Sequence, residues 1–351
     1  MSAFAQVLIA WHATHGRHDL PWQRDADPYR IWLSEIMLQQ TRVETVIPYF
    51  ERFLARFPDL RALAAAPLDE VLGLWSGLGY YARARNLHRA AREIVTVHDG
   101  RFPQDPEAIA RLPGVGRSTA AAIAVFAFGA RAAILDGNVR RVLCRVFAVE
   151  GYPGDRAVEQ QLWALAGSLL PQVGVATYIQ AQMDLGATVC TRSRPRCDAC
   201  PLARQCVAAL DGRIRELPAP RPQRARPLRL AQLAFVYCGD QVLLLQRPPS
   251  GIWGGLLVPP EVPERGVEPA AWLAARFGVQ PVAGVRAGSA VEHAFTHFRL
   301  QITPLWCEVG RPSGRSVQEP DEGRWVRLGA LESLALPAPV RRLLETLRDR
   351  G

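Results

Sequence analysis

The sequence predicts a multidomain protein in which a mostly α-helical domain is followed by a domain of α/β character. The first part of the chain, up to about residue 206, contains amphipathic segments such as residues 28–57 and 68–97, separated by proline and glycine. Beyond this part the pattern changes to short β-rich runs, among them LAQLAFVY, QVLLLQR, IWGGLLVPP, FRLQITPLW and GRWVRL. Helical periodicity returns at residues 269–277 and 340–347, which adds helices to the second domain.

A segment rich in proline and arginine separates the two patterns. We therefore expect a helical domain at residues 1–212, a linker at residues 213–229 and a second domain at residues 230–351. Proline keeps such a linker extended, and its arginines either follow a phosphate backbone or are simply solvated. The composition of the segment favours neither interpretation over the other.

Arginine supplies all the basic side chains apart from histidine. The 351 residues contain 42 Lys+Arg and 33 Asp+Glu, for a formal net charge of +9, and none of the 42 is a lysine. The positive charge favours a polyanionic partner, because neutralising phosphates releases counterions and gives affinity without sequence recognition. The absence of lysine excludes any mechanism that requires a lysine Schiff base.

The N-terminal segment carries Trp11, His12 and His15, where an export signal would need an unbroken apolar core. The most apolar stretch, residues 119–129, is far shorter than the roughly 20 residues that span a bilayer. We therefore expect a cytoplasmic protein. In that compartment cysteines serve as metal ligands or buried thiols rather than as disulfides.

Four of the seven cysteines lie within seventeen residues, in the pattern Cys-x6-Cys-x2-Cys-x5-Cys. Four thiolates on one short loop predict a metal centre, and both zinc and a [4Fe–4S] cluster accept four cysteines. A chance group of buried thiols is the less favoured alternative. The predicted ligands are Cys190, Cys197, Cys200 and Cys206.

A short helix, a tight glycine-containing turn and a second helix are predicted in the run DPEAIARLPGVGRSTAAAIAVFAFG. Its glycines permit close backbone approach, and the N–H groups that open the second helix lack partners within the helix. A phosphate satisfies these groups and is favoured by the helix dipole. The run therefore predicts a helix-hairpin-helix element that binds DNA without reading sequence, with a plain packing element as the alternative. The expected contacts are Leu112, Pro113, Gly114, Val115, Gly116 and Ser118.

Two carboxylates are candidates for catalysis. Glu35 lies on the apolar face of a predicted helix, either at the edge of that face or buried within it. Burial would raise its pKa and make it a proton donor near neutral pH. Asp136 precedes another predicted helix, where capping is the simplest role. Capping also fixes the carboxylate, so an ionised Asp136 can stabilise positive charge that develops on a sugar carbon.

Over nearly its whole length the chain resembles the MutY-type adenine DNA glycosylases of the helix-hairpin-helix superfamily. The resemblance is carried by the runs LPWQ, WLSEIMLQQT, GLGYYARARNLH, LPGVGRSTA, ILDGNVRRVL, QAQMDLGATVCTRSRPRCDACPL and RPPSGIWGGL. Jointly these runs are highly specific. The resemblance implies that the cysteine loop, residues 190–206, holds one [4Fe–4S] cluster and that the second domain has a Nudix-type fold.

The resemblance also implies roles for individual residues. Glu35 matches the acid that protonates adenine at N7, and Asp136 matches the residue that stabilises the oxocarbenium-like state or adds to it covalently. Asn138 matches a position that helps to order the site. Gln40 and Tyr80 match residues that enter the duplex and fill the space left by the flipped adenine, although Tyr80 alone also fits a core aromatic.

Ser118 stands where bifunctional relatives place their catalytic lysine. This identity implies base removal without efficient strand cleavage. In the second domain Phe295, Thr296 and His297 match the Phe-Ser-His loop with which the family contacts 8-oxoguanine, with threonine in place of serine. The alternative for His297 is a structural pair with His293 on one strand face.

A catalytic Nudix hydrolase needs a closely spaced array of glutamates to bind magnesium. Here Glu261, Glu264 and Glu268 are scattered among prolines, so we expect no magnesium and no nucleotide cofactor, and we assign this domain to recognition.

The expected function is hydrolysis of the glycosidic bond of adenine opposite 8-oxoguanine or guanine, in base excision repair. The expected partner is duplex DNA, bound by a monomer associated with the nucleoid. Three alternatives remain: a glycosylase for thymine or an oxidised pyrimidine, a damage-binding protein whose cluster senses redox state, and a nucleotide pyrophosphohydrolase. The missing magnesium array disfavours the last of these.

Overall fold

The computed structural model describes residues 3–222, 225–248, 251–263, 267–295, 297–310 and 323–349. The chain forms two compact units. One comprises Met1–Pro67 and Arg83–Gln223, and the other comprises Leu68–Ala82 and Arg224–Gly351. The first unit is helical and the second contains a mixed sheet with helices, which confirms the predicted fold class.

Helices dominate the first two thirds of the chain. In order they are α1 (Ala3–His15), α2 (Pro28–Leu38), α3 (Val43–Arg56), α4 (Leu60–Ala65), α5 (Leu68–Leu74), α6 (Ala82–Val97), α7 (Pro106–Arg111), α8 (Arg117–Phe128), α9 (Gly137–Val146), α10 (Arg156–Ser168), α11 (Val175–Asp184) and α12 (Val207–Leu210). Of these, α5 lies in the second unit and the rest lie in the first, apart from the initial residue of α6. Several begin at an aspartate whose side chain accepts hydrogen bonds from first-turn N–H groups, which stabilises the helix start. These caps include Asp27, Asp105 and Asp136.

One continuous core fills the part of the first unit around α8 to α11. Apolar faces of α1, α8, α9, α10 and α11 meet there, and their buried members include Leu8, Val125, Leu143, Leu162 and Ile179. Helix α9, which Asp136 caps, therefore stands on a packed framework. In the described part of the chain, no helix combines the length and the apolar character that crossing a membrane requires.

Both long amphipathic segments of the sequence are interrupted. The segment at 28–57 is divided into α2 and α3, and the segment at 68–97 is divided into α5 and α6. At the first break Gln40 has a φ of 58°, and at the second Tyr80 has a φ of 51°. Residues other than glycine rarely adopt this left-handed conformation, and a helix cannot continue through it.

The second unit is built on a mixed β-sheet. Its strands are β1 (Leu228–Cys238), β2 (Gln241–Gln246), β3 (Leu257–Val258), β4 (Glu261–Val262), β5 (Arg286–Ala287), β6 (Val291–Ala294), β7 (Arg299–Glu308) and β8 (Arg324–Arg327). The central strands β1 and β7 are parallel, with Leu228 opposite Arg299 and Tyr237 opposite Glu308. The remaining strand pairs are antiparallel, and the order along the main path is β3-β2-β1-β7-β5.

Helices pack on both faces of this sheet. Alternate residues of β1 point to opposite faces, so Leu233 and Phe235 join one core whereas Ala234 and Val236 join another. The first core includes Val340 and the other apolar residues of α14 (Ala338–Arg348), and the second includes Leu273 of α13 (Pro269–Phe277). Of the run IWGGLLVPP, only Leu257–Val258 pairs as a strand. Glycine and proline in this run supply few side chains and few N–H donors for a longer ladder.

Candidate active site

Glu35 is placed by α2, which begins at Pro28 behind the Asp27 cap. Its neighbours Ser34 and Ile36 are buried, whereas Glu35 itself is half-buried. Burial removes the carboxyl from water and, together with the charge of Asp136, raises its pKa to about 8. At neutral pH the side chain is therefore mostly protonated and is able to donate a proton.

Asp136 caps α9 and is held on both oxygens. Its Oδ1 accepts from the backbone N–H of Val139 at 2.8 Å, and its Oδ2 accepts from Nδ2 of Asn138 at 3.2 Å. Burial raises the pKa of Asp136, whereas the hydrogen bonds from Val139 and Asn138 and the charge of Arg141 lower it. Burial is the larger effect, so the pKa of Asp136 is raised overall. Because the charge of Asp136 acts on Glu35, Asp136 is the member of the pair that ionises first.

The two predicted catalytic carboxyls therefore belong to one site. The charge of Asp136 contributes to the raised pKa of Glu35, so the two carboxyls lie near each other. When Asp136 is ionised and Glu35 is protonated, one group carries a negative charge and the other carries a proton. A general acid and an anion in one half-buried site are the groups that glycosidic cleavage requires.

Helix α9 also joins this site to the cysteine loop. Arg141 donates from Nη2 to Oδ1 of Asn138 at 2.8 Å and to the carbonyl of Gly186 at 2.7 Å, and from Nε to the carbonyl of Cys190 at 2.7 Å. Asn138 thus contacts both Asp136 and Arg141. Sequence analysis assigned a role to Asn138 but missed Arg141, because a single arginine among many carries no distinguishing signal.

A second arginine of α9 lies against the cysteine loop. Arg145 is buried, and it donates to the carbonyls of Thr191, Arg192 and Leu217 at 2.8, 3.1 and 2.8 Å. Its Nη1 also lies 3.3 Å from Sγ of Cys190. The loop is thereby fixed to the same helix that Asp136 caps.

The four predicted cysteine ligands line one cavity, together with apolar residues of α9 and of the π-helical turn Leu185–Val189. Burial and the charges of the other three thiols together raise the pKa of the Cys200 thiol to about 11, which indicates that all four are neighbours. Within the described ranges, no three His, Cys, Asp or Glu side chains are grouped so as to hold a single metal ion. The four cysteines therefore share one cavity.

The predicted hairpin is present as α7, a turn at residues 112–116 and α8. Leu112 and Val115 are buried in the turn, whereas Gly114 and Gly116 are exposed. Gly114 has a φ of 77°, and a Cβ atom there would lie 2.7 Å from Cβ of Asn86, so the turn requires glycine. Gly116 is the N-cap residue of α8 and provides no side-chain hydrogen bond, so the first N–H groups of the helix are available to bind an anion.

Ser118 of α8 makes an internal contact. Its Oγ accepts a hydrogen bond from the backbone N–H of Leu135 at 3.0 Å. Leu135 is buried and directly precedes Asp136. The hydroxyl therefore helps to fix the loop that delivers the candidate anion, a role that the sequence did not indicate.

Gln40 is exposed in the loop that follows α2, and the buried Arg83 forms hydrogen bonds with this loop and with the end of α2. Nη1 of Arg83 donates to the carbonyls of Ile36, Met37 and Gln39 at 3.1, 2.7 and 2.6 Å. These contacts satisfy the last carbonyls of the helix that carries the candidate acid. Arg83 is a further residue that sequence reasoning missed.

The other residues predicted to touch DNA lie in the second unit. Tyr80 is 55 % exposed, so it is not a core aromatic. Phe295 stacks on Phe298 with ring centroids 4.4 Å apart, and its N–H donates to the carbonyl of Phe298 at 2.9 Å, so the two close a tight turn between β6 and β7. His297 is exposed in this turn, and Thr296 lies outside the described residues.

Two of the three scattered glutamates have structural contacts. Glu261 forms an ion pair with Arg247, and Glu268 caps α13 by accepting from the N–H groups of Ala270 and Ala271. Glu264 lies outside the described residues. In the second unit, Glu268 thus serves as a helix cap.

Two family models match the chain. One, described as an HhH-GPD superfamily base excision DNA repair protein, matches residues 33–167, and a NUDIX domain matches residues 231–346. An adenine DNA glycosylase of Buchnera aphidicola subsp. Acyrthosiphon pisum (strain APS) is 34% identical over 346 residues, which cover 98% of this chain and 97% of the relative. The adenine DNA glycosylase of Homo sapiens is 34% identical, covering 100% of this chain and 75% of the relative.

A solved structure resembles the helical part. A thermostable thymine-DNA glycosylase is 30% identical with a TM-score of 0.53, covering 59% of this chain and 95% of that one. The matches to the two adenine DNA glycosylases also extend over the second unit. By the identity and coverage of these relatives, the chain belongs to the MutY-type adenine DNA glycosylase family, with a Nudix-like C-terminal domain.

Proposed function

We propose that this protein hydrolyses the N-glycosidic bond of adenine paired with 8-oxoguanine or guanine in duplex DNA. The observation that carries the proposal is the pairing of Glu35, whose pKa is raised to about 8, with Asp136 in one half-buried site. The names of the relatives that match nearly the whole chain support adenine as the excised base.

The chemistry divides between the two carboxyls. Glu35 donates its proton to N7 of the extruded adenine, which makes the base a better leaving group. The C1′–N9 bond then breaks with its electron pair passing to adenine, and positive charge develops at C1′. Asp136 stabilises this charge, and the oxygen of a water molecule bonds to C1′ and loses a proton to give an abasic site.

Adenine reaches this site only after leaving the base stack, which costs a few kcal/mol. Gln40 and Tyr80 are exposed in left-handed conformations, as suits side chains that enter the duplex. The hairpin turn at residues 112–116 presents uncapped N–H groups of α8 to a phosphate. These elements support DNA binding without sequence recognition.

The enzyme is proposed to release the base without efficient strand cleavage. Strand cleavage by bifunctional relatives uses a lysine, and the chain contains none. At the corresponding position Ser118 contacts Leu135, so its oxygen is engaged in the fold.

Cys190, Cys197, Cys200 and Cys206 are proposed to hold a [4Fe–4S] cluster. One Zn²⁺ needs four sulfurs about 2.3 Å from a single point, whereas a cluster takes one thiolate at each of four irons and needs them around a larger volume. The cavity lined by all four cysteines supports one shared centre, and the family resemblance favours the cluster over zinc. When bound, the cluster supplies structural cross-links for the loop.

The second unit is proposed to inspect the base opposite adenine through Phe295, Thr296 and His297. The stacking of Phe295 on Phe298 supports a rigid turn with His297 exposed at its tip. The family's contact to 8-oxoguanine is then made by threonine in place of serine.

Incubation of the purified protein with labelled duplexes tests this function. We expect an alkali-labile abasic site on the adenine strand of A:8-oxoguanine and A:G duplexes, and none on A:T or T:G duplexes. Product from T:G alone would support the thymine alternative, and binding without product would support a damage sensor. Pyrophosphate release from oxidised dGTP would instead identify a pyrophosphohydrolase.

A further inference from the structure

The loop that presents Tyr80 is held by residues at the other end of the chain. It belongs to the segment Leu68–Ala82, which forms one compact unit with Arg224–Gly351. Tyr80 itself is 55 % exposed and has a φ of 51°, and Gly77 and Gly79 beside it also have positive φ. A tyrosine keeps such a conformation only where its surroundings impose it.

Arg341 of α14 is the first of these anchors. Its Nη2 donates to Oγ of Ser76 at 2.8 Å and to the carbonyl of Leu334 at 2.8 Å, and its Nη1 donates to the carbonyl of Leu331 at 2.7 Å. The guanidinium is half-buried, so these hydrogen bonds are only partly exposed to competition from water. One side chain thus ties the loop to the segment that precedes α14.

Tyr81 is the second anchor, directly beside Tyr80. Its hydroxyl lies 3.1 Å from the carbonyl of Leu336 and 3.3 Å from Oγ of Ser76. The Ser76 hydroxyl donates to the carbonyl of Leu334 at 3.4 Å and accepts from Arg341. A phenol has one proton, so Tyr81 donates either to the carbonyl of Leu336 or to Oγ of Ser76.

The interior of the loop is fixed as well. Trp75 is fully buried, and its Nε1 donates to the carbonyl of Gly79 at 3.1 Å. The backbone on both sides of Tyr80 is therefore held, by Trp75 before it and by Tyr81 after it. The exposed phenol is presented on a rigid turn.

We propose that Arg341 and Tyr81 are positioning residues that hold Tyr80 in the conformation that enters DNA, so that the C-terminal domain assists base extrusion through residues that do not touch DNA. This inference rests on the proposed function. It adds a second task to a domain that was assigned only to inspection of the opposite base. Loss of either anchor lets Tyr80 relax to an ordinary backbone conformation and slows extrusion.

The test compares Tyr81→Phe, Arg341→Ala and Arg341→Lys with the wild type on an A:8-oxoguanine duplex. Arg348→Ala is the matched control, because Arg348 is exposed on the same helix and contacts Asp349. Base release is measured in single turnover, and extrusion is measured by the fluorescence of 2-aminopurine in place of adenine. We expect Arg341→Ala to slow base release and extrusion about tenfold, and Tyr81→Phe to slow the two rates less. Arg341→Lys should recover part of the loss, and Arg348→Ala should change neither rate.

A double-mutant cycle separates positioning from a general loss of structure. In a Tyr80→Ala background, Arg341→Ala and Tyr81→Phe should have no further effect on either rate, because the residue through which they act is gone. Additive losses, or slower base release with unchanged 2-aminopurine fluorescence, would overturn the proposal. If the wild type releases no adenine, the proposed function fails; if it does and the anchor variants match it, only this inference fails.

Discussion

Glu35 and Asp136 lie close enough that, after burial, the charge of Asp136 is the second cause that raises the pKa of Glu35 to about 8. The hydrogen bonds from Val139 and Asn138 favour the ionised form of Asp136. The pair therefore loses its first proton from Asp136 and its second from Glu35. This division of roles leads to measurable consequences.

The first consequence is the pH dependence of base release. Glu35 acts in its protonated form, so kcat/KM should be sustained below pH 8 and fall about tenfold per pH unit above it. At acidic pH the rate should fall again as Asp136 takes up a proton. Single-turnover rates across the pH range measure this profile. Glu44→Gln, at an exposed glutamate in the first turn of α3, should leave it unchanged; an alkaline midpoint below pH 6 would contradict the assignment.

The second consequence is for stability. Glu35 retains its proton in the folded state to about pH 8 but releases it near pH 4.5 in the unfolded state. Its contribution to the free energy of unfolding is therefore most favourable below pH 4.5 and is lost as the pH rises towards 8. Glu35→Gln removes this dependence and should raise the free energy of unfolding by on the order of 2 kcal/mol at pH 7. Denaturant unfolding at pH 5 and pH 8 measures the difference. The gain should be larger at pH 8, and an equal loss at both pH values would refute the prediction.

Ser118→Ala tests the contact with Leu135. Without the hydroxyl, the buried N–H of Leu135 has lost its acceptor, which costs about 1–3 kcal/mol of stability. Displacement of the loop before Asp136 should also lower kcat about tenfold with little change in KM. Ser168→Ala, at an exposed serine of α10, is the stability control. A rise in KM at constant kcat would show instead that Ser118 acts mainly by binding DNA.

Much of this organisation was predictable from the sequence, because the hydrophobic pattern and the local motifs specify it. The change from helical to strand periodicity indicates where the helical unit ends and the sheet begins. The close spacing of the cysteines predicts that Cys190 and Cys206 lie near one another, and both line one cavity. Asp136 precedes a helix, and an aspartate in that position commonly caps it. The sequence shows that Glu35 lies on an apolar helix face. Whether its carboxyl is buried is known only from the structure.

The contacts that were not predictable depend on residues far apart in the chain. Arg83 satisfies the end of α2, and Arg341 reaches Ser76, yet neither arginine differs in sequence from its many neighbours. The breaks at Gln40 and Tyr80 follow from left-handed backbone that tertiary contacts impose on residues with no preference for it. Helical periodicity continues across both breaks, so it could not reveal them.

Cys200→Ser tests the metal centre. Loss of one ligand should remove the visible absorbance and the iron of the purified protein. It should also lower the free energy of unfolding by more than about 3 kcal/mol, because loss of a structural metal is among the most destabilising effects of a single mutation. Cys238→Ser is the control, because Cys238 is half-buried at the end of β1 in the second unit and does not belong to the cysteine loop. Zinc in the wild type in place of iron would contradict the cluster.

The most direct test of the catalytic pair is single-turnover adenine release by Glu35→Gln on an A:8-oxoguanine duplex, with DNA affinity measured in parallel. The amide preserves the shape of the side chain but has no carboxyl proton to donate. The account predicts a rate at least about 100-fold below that of the wild type, with duplex affinity unchanged. A variant that releases adenine at the wild-type rate would contradict the central role of Glu35.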